Sequence, residues 1–290
     1  MPTNEKEQFT VKEHFVPQGY LKGFSENNAT IYRFDLKREA QTTIPVSVKS
    51  VAYIKNEYEL RADDNTFINR NFIENSLGQL EGQLPNYREM LKSKSFSKEN
   101  QKTECFLSKE EKNYWRLFVT LQMMRDPTLI DAAQKRAITY YENTISPQAA
   151  KNLTLIGCFP FFESNSKNPT GSLCEKVFNI LYEMNITVKA APGSHLITSD
   201  NPVCVSARSA SFEGITGFWM PITPDIAILF WKKDLMKGGK QNGLEWLDQH
   251  IADKMNKDLI YHARNELYSE KPFSKAEIAH IKEIRKRKNI

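Results

Sequence analysis

The side chains most able to do chemistry in this chain sit at four places along its length. The first is a helix that opens at Ser108. There Ser108-Lys109-Glu110-Glu111 forms a capping box, so the first residues of the helix are fixed by sequence. Winding at 100° per residue sets Tyr114, Trp115, Phe118, Leu121, Gln122 and Arg125 within an arc of about 120°. Gln122 and Arg125 thus extend an aromatic face, where an unpaired guanidinium costs several kcal/mol. Arg125 is an anion or phosphate clamp in a cleft, half of a structural Arg–carboxylate pair, or an arginine whose stem covers the core while its head reaches water.

Glu74 and Glu81 stand seven residues apart, on one side of a second expected helix and at the edge of its apolar stripe. Carboxylates there could line a pocket, hold a divalent cation such as Mg or Mn, pair with Arg125, or simply be solvated. Thr198-Ser199-Asp200-Asn201-Pro202 follows an apolar run. The proline biases Asn201 to extended backbone, so Asp200 either projects from a strand end or closes an Asx-type turn. His14 precedes a short apolar helix and is a general acid or base, or a packed histidine. The group His250, Asp253 and Asn256 is a weaker candidate. The basic run Lys282, Arg285, Lys286, Arg287 and Lys288 suits phosphates, or merely a helix end.

These residues need elements to position them. Pro17 suits the first turn of a short helix carrying Tyr20, Leu21 and Phe24, and Thr30 to Leu36 alternates as a half-buried strand does. Phe67 to Met90 reads as one helix with a stripe of Ile73, Leu77, Leu80 and Leu84, kinked or ended by Pro85. The Ser108 helix should reach Met124, with helical pattern resuming from Ala132 to Tyr141, and Cys174 to Met184 is amphipathic. Short β-rich runs then follow at 186–190, 195–198, 202–206, 218–223 and 226–231. Helix is expected again over Gly243 to Asn265 and over Phe273 to Lys288. The order predicts an α+β fold: a helix-rich middle, and a mixed, mostly antiparallel sheet built from early and C-terminal-third strands. Residues 1–12 are expected to be a flexible leader, 13–270 a single domain, and 271–290 a basic C-terminal helix or tail.

Composition narrows the function classes. With 40% hydrophobic and 11% aromatic residues the chain can bury a core, and its net charge of +5 permits anionic partners without demanding them. Cys105, Cys158, Cys174 and Cys204 show no Cys-x-x-Cys spacing, so they read as reduced core thiols. No apolar run is long enough to span a bilayer and Met1 to Thr10 lacks an export signal, so the expected address is the cytoplasm. Phosphate-loop, dinucleotide-binding, zinc-protease and nucleophile-elbow motifs are absent. The loop Gly238-Gly239-Lys240-Gln241-Asn242-Gly243 lacks the hydroxyl that a phosphate loop needs for magnesium.

His14-Phe15-Val16-Pro17-Gln18 with Tyr20, Leu21 and Phe24, the Glu74/Glu81 helix, Gln122 with Arg125 and Pro127, Thr198 to Pro202, and Pro221-Ile222-Thr223-Pro224 occur in that order. In this the chain resembles the bacterial domain-of-unknown-function family 4238, over about residues 12 to 268. The resemblance implies one convergent polar site, and an association of some members with mobile elements and defence against phage. Two functions are carried forward. One is a nuclease, RNA in preference to DNA, in which Arg125 holds phosphate, His14 moves a proton, and Asp200 with Glu74 or Glu81 orients His14 or binds metal. Gln122, Asn201, Gln18 and Tyr20 would contact substrate. The other is a non-catalytic sensor or binding module for nucleic acid or a phage component. An enzyme should gather His14, Arg125 and Asp200 around one open pocket, whereas a binder could bury them as a closed network. No membrane partner is expected, and the oligomeric state is left open.

Overall fold

In the computed structural model the described residues are 9–38, 43–97, 106–159, 172–209, 214–235 and 242–287. Cys105, residues 1–8 of the leader, Gly238 to Gln241 and Lys288 lie outside them.

The early chain builds β1 (Lys12–His14), α1 (Gln18–Leu21), β2 (Thr30–Asp35), β3 (Ile44–Ser47), β4 (Tyr53–Lys55), β5 (Leu60–Arg61) and β6 (Phe67–Asn69). Pro17 is the N-cap of α1, as its fixed φ allows. β1 pairs with β4 and β5 with β6, each antiparallel. The turns around these ribbons rest on asparagines in the left-handed region, Asn56 at φ 52° and Asn65 at φ 67°.

The helical stretch expected from Phe67 to Met90 is three elements. Phe67–Asn69 is strand; α2 (Phe72–Glu81) starts after Asn71 turns the chain at φ 58°. Pro85 does not kink one helix but opens the next, α3 (Leu84–Phe96), where its missing N–H has no intrahelical role.

α4 (Lys109–Met124) starts at the Ser108 capping box, with the Ser108 side chain accepting from Glu111 N and Glu111 accepting from Ser108 N. Tyr114, Trp115, Phe118, Leu121 and Gln122 are all buried, which is the face the 100° winding predicts. Arg125 is its C-cap. Asp126 then caps α5 (Pro127–Tyr140) by accepting from Thr128 N and Leu129 N, so Pro127 opens a helix here too. α6 (Pro147–Cys158) and α7 (Ser172–Glu183) complete the helical layer, α7 packing along α4.

The C-terminal third supplies β7 (Asn185–Ala190), β8 (Thr198–Ser199), β9 (Cys204–Ala207), β10 (Ile215–Thr223), β11 (Ile226–Trp231), β12 (Gly243–Trp246), α8 (Gln249–His262), β13 (Glu266–Ser269) and α9 (Lys275–Arg287). Gly243 to Trp246, expected as helix, pairs instead in parallel with β7 at the edge of a five-stranded sheet of order β12-β7-β11-β10-β9. A second sheet, β3-β2-β13-β8, joins early strands to late ones, all antiparallel. The fold is α+β, with antiparallel pairing dominant in both sheets.

β11 is apolar at nearly every position because both of its faces are covered, so alternation is lost. Ile226, Ile228 and Phe230 join the larger core under α4 and α7. Ala227 and Leu229 join a second core with Ala252, Met255 and Leu259 of α8 and Ile278, Ile281 and Ile284 of α9. The basic terminal helix is therefore anchored by an isoleucine stripe, and Arg285 Nη1 donates to the Ala263 carbonyl at 2.8 Å.

Candidate functional site

His14 ends β1 and Arg125 ends α4, and the fold brings the two together. Arg125 Nη1 donates to the His14 carbonyl at 3.3 Å, while Nη2 forms an ion pair with Glu81 of α2. One residue-turn away, Gln122 Nε2 donates to the Phe15 carbonyl at 2.8 Å. The end of α4 thus holds the β1–α1 connection by two backbone carbonyls. Gln18 Nε2 meets His14 Nδ1 at 3.4 Å, bracing the ring that also tilts against Tyr53.

Around this clasp lies a concentration of buried carboxyls. Glu13 Oε2 accepts from Tyr58 N at 2.7 Å, and Glu59 accepts from Asn71 N through both oxygens, at 3.2 and 3.1 Å. Burial, with Glu59 and Glu74 nearby, pushes the Glu13 carboxyl up to about 7. Burial raises Glu74 to about 7 as well, the Arg125 charge only partly opposing it. Burial lowers the His14 pKa, and the charges of Arg125 and Lys12 act in the same direction. Burial also works against the Arg125 charge, yet Glu81, Tyr58 and Glu74 together lift its pKa above the ordinary value. Arg125 is therefore charged, and Glu13 and Glu74 are close to balanced between forms at neutral pH.

Several polar atoms of this centre have no hydrogen-bond partner: Glu13 Oε1, His14 Nε2, Tyr58 Oη, Asn71 Oδ1, Glu74 Oε2, Gln122 Oε1 and Arg125 Nε. The space beside Arg125, Gln122 and Glu81 is a cavity of about 10 Å³, enough for roughly one water. His14, Gln122 and Arg125 are buried, and Glu81 keeps a partly exposed edge to this space.

The remaining expected site residues lie elsewhere or have other work. Asp200 does not reach His14. Its Oδ1 and Oδ2 accept from Arg264 N at 2.9 Å and Asn265 N at 2.8 Å, tying the β8–β9 connection to the turn between α8 and β13. Burial raises its pKa to about 6 against those two N–H bonds. Asn201 Nδ2 donates to the His262 carbonyl in the same turn. Asn256 spans the next connection, from Ile197 N to the His195 carbonyl. Tyr20 is 1% exposed, and its hydroxyl donates to the Pro221 carbonyl and meets Thr198 Oγ1, each at 2.7 Å. It is a strut between α1 and the sheets, not a surface for substrate. Among the described residues no three His, Cys, Asp or Glu side chains are placed to hold a metal ion. Glu81 is turned to Arg125, so the Glu74/Glu81 pair does not fit a divalent cation.

The open surface lies on the other side of Glu59. A groove of about 490 Å³ is lined by Phe9, Phe67, Ile68, Asn69, Arg70, Asn71 and Asn75. The Arg70 guanidinium lies over two rings, 4.3 Å from the Phe9 centroid and 4.4 Å from that of Phe67. Arg61 covers Phe67 as well, at 4.3 Å. Arg70 Nε is 3.7 Å from Glu59 Oε1, and its side chain keeps 26% of its surface exposed. The rings hold the planar fork flat while Glu59 holds it at one edge. Phe9 and Phe67 are themselves 38% and 36% exposed. Sequence periodicity could not find this site. Phe9 falls in a leader expected to be flexible, and Arg70 in a stretch expected to be the first turns of a helix.

The arrangement defines a class: an α+β protein with a largely buried arginine–carboxyl centre and an arginine–phenylalanine groove beside it. The family model described as "Protein of unknown function (DUF4238)" matches residues 12–272, and the chain belongs to that family. No curated protein and no solved structure matches it. No helix is long and apolar enough, among the described residues, to cross a membrane.

Proposed function

We propose that the protein binds single-stranded nucleic acid, RNA above all, through the Phe9–Arg70 groove, and that the His14–Arg125 centre holds the groove's supports in place. The observation that carries the reading is the Arg70 fork, lying over the Phe9 and Phe67 rings in a groove edged by the exposed Asn69 and Asn75. A flat guanidinium recognises phosphate, the partly exposed Phe9 ring is a plane for a base, and asparagine amides pair with base edges. Arg125 is unsuited to that role, because Glu81 and the His14 carbonyl already engage its guanidinium. The unpaired thiols of Cys158, Cys174 and Cys204 support a cytoplasmic setting.

A hydrolytic reading has one specific support: acid–base groups near neutrality, Glu13 and Glu74, lie in the same buried centre as His14, whose pKa is lowered. It requires that centre to open to substrate.

Fluorescence anisotropy with labelled single-stranded RNA, single-stranded DNA and duplex DNA tests the first reading. Wild type should bind single strands, with affinity falling as salt rises. Arg70→Ala should weaken binding roughly tenfold, and Phe67→Ala by a similar factor. Absence of binding at low salt, or an Arg70→Ala protein that binds as wild type does, overturns it. The same samples run on a denaturing gel, with and without chelator and alongside His14→Ala, test for cleavage. A defence role would show as fewer plaques on a host expressing wild type than on one expressing Arg70→Ala.

A further inference from the structure

A second cleft, remote in character from the first, opens between α2, α3 and α4. It measures about 680 Å³, within the range of small-molecule sites. Its wall carries Tyr87 of α3 stacked on Tyr114 of α4, ring centroids 3.7 Å apart and planes within 6°. Aromatic pairs left to themselves prefer offset or edge-to-face contacts at larger separation. This pair is held face to face from outside: the Tyr87 hydroxyl donates to Glu110 Oε1 at 3.1 Å, and the Tyr114 hydroxyl to the Leu80 carbonyl at 3.3 Å. Tyr114 is 5% exposed beneath Tyr87, so the half-buried Tyr87 ring is the one that offers π surface to the cleft, and with both hydroxyls engaged neither ring offers a donor. Behind Tyr114 the Phe118 ring continues the stack at 6.1 Å and 16°, so the platform is backed by the core.

The rim differs from the wall. Gln79 and Gln83 of α2 and its following turn are exposed, and with Asn113 they bring amide donors and acceptors to the cleft's edge. Lys109 places an exposed ammonium at the mouth, while the neighbouring Glu110 is held by Tyr87. A flat, electron-poor ring with hydrogen-bonding edges matches such a site: the π face takes the ring and the amides take its edge.

We infer that the α2–α3–α4 cleft binds a nucleobase-bearing small molecule, a nucleoside or mononucleotide, stacked on the Tyr87–Tyr114 platform and read at its edge by Gln79, Gln83 and Asn113. The site is independent of the polynucleotide groove, since neither tyrosine lines that groove and the ligand needs no chain.

Isothermal titration calorimetry of the full chain with the four common ribonucleosides and their 5′-monophosphates tests it. At least one should bind more tightly than about 1 mM, and ribose 5-phosphate, which lacks the ring, should not. Tighter binding of the monophosphate than of its nucleoside assigns Lys109 to the phosphate; equal binding confines recognition to the base. Tyr87→Ala removes the ring and should lose at least about fivefold. Gln79→Trp fills the cleft from an exposed helix position without touching the core, so it separates site loss from unfolding. The inference fails if no nucleoside binds wild type, if ribose 5-phosphate binds equally well, or if Gln79→Trp leaves binding unchanged.

Discussion

Removing Glu81 should damage the protein more than removing Arg125, and removing both should do less harm than the sum. Arg125 is 3% exposed and Glu81 25%. In Glu81→Leu the guanidinium stays buried with only the His14 carbonyl for a direct bond, and a stranded buried charge costs about 3 kcal/mol at the low end of the usual range. In a chain of 290 residues that corresponds to a melting point roughly 6 °C lower. In Arg125→Met the Glu81 carboxylate can turn toward water through its exposed quarter, and the loss is mainly the bond to His14, about 1.5 kcal/mol. The double variant Glu81→Leu/Arg125→Met leaves no unpaired charge and should lose no more than Arg125→Met alone. Urea denaturation of the four proteins measures all three differences, and the double-mutant cycle isolates the coupling. A double variant that loses the sum, about 4.5 kcal/mol, refutes the view of Arg125 as half of a closed pair. So does a Glu81→Leu protein as stable as wild type. Arg125→Met keeps every side chain that lines the groove, so it should lose less RNA affinity than Arg70→Ala, which separates this clasp from a phosphate-binding arginine.

Other outcomes follow from the same geometry. Asp200→Asn replaces an acceptor of two backbone N–H groups by one with a single oxygen, so stability should fall by about 1–3 kcal/mol while RNA affinity stays unchanged in anisotropy. Glu13 and Glu74 have folded-state pKa values raised from 4.5 to about 7, so the folded protein holds protons that the unfolded chain has released. Their stabilising contribution is complete below pH 4.5 and is lost as pH rises to 7; His14, lowered from 6.5, opposes this below its ordinary value. Urea midpoints should therefore fall between pH 5 and pH 7.5 in wild type and fall less in Glu13→Gln/Glu74→Gln; a steeper fall in the variant would show the sign to be wrong. Ile281→Ala in α9 should cost about 2–5 kcal/mol by circular dichroism melting, because its side chain is 2% exposed in the second core; a tail loosely attached to the domain would lose almost nothing.

How far the sequence reveals this protein depends on the range of the interaction that decides each feature. The Ser108 capping box closes within four residues and the α4 face within five turns, so both are legible from local spacing alone. That Arg125 and Gln122 lie on the buried face follows from the same winding. Their partners do not: the choice of Glu81 over anion, metal or solvent is made 44 residues away. Phe67 to Met90 fails for a related reason. Its apolar spacing is helical, but the Glu59 carboxylate takes Asn71 N and helps the chain turn left-handed there, which a local period cannot register. Gly243 to Trp246 is strand because β7 offers an edge to pair with. Asp200 was legible as a strand-end residue or an Asx-turn residue; it directly follows β8, and its carboxylate takes the distant Arg264 and Asn265 N–H groups, which local sequence cannot register.

The same reasoning explains why the open groove was invisible while the buried centre was not. A buried charge betrays itself in sequence, because it interrupts an apolar face, and Arg125 does so between Leu121 and Ile130. A charge at a functional surface interrupts nothing. Arg70 stands in a polar stretch, Asn69-Arg70-Asn71, and becomes distinctive only when Phe9 and Phe67 come within cation–π distance of it from separate segments. Scanning for polar residues among apolar ones therefore selects groups that folding has already partnered, as it did for Arg125, Gln122 and Asp200. Groups free to meet a ligand are instead those whose rigidity comes from neighbours and whose reach stays open. By that criterion Arg70 and Tyr87, rather than Arg125 and Asp200, are the positions proposed here to meet ligands.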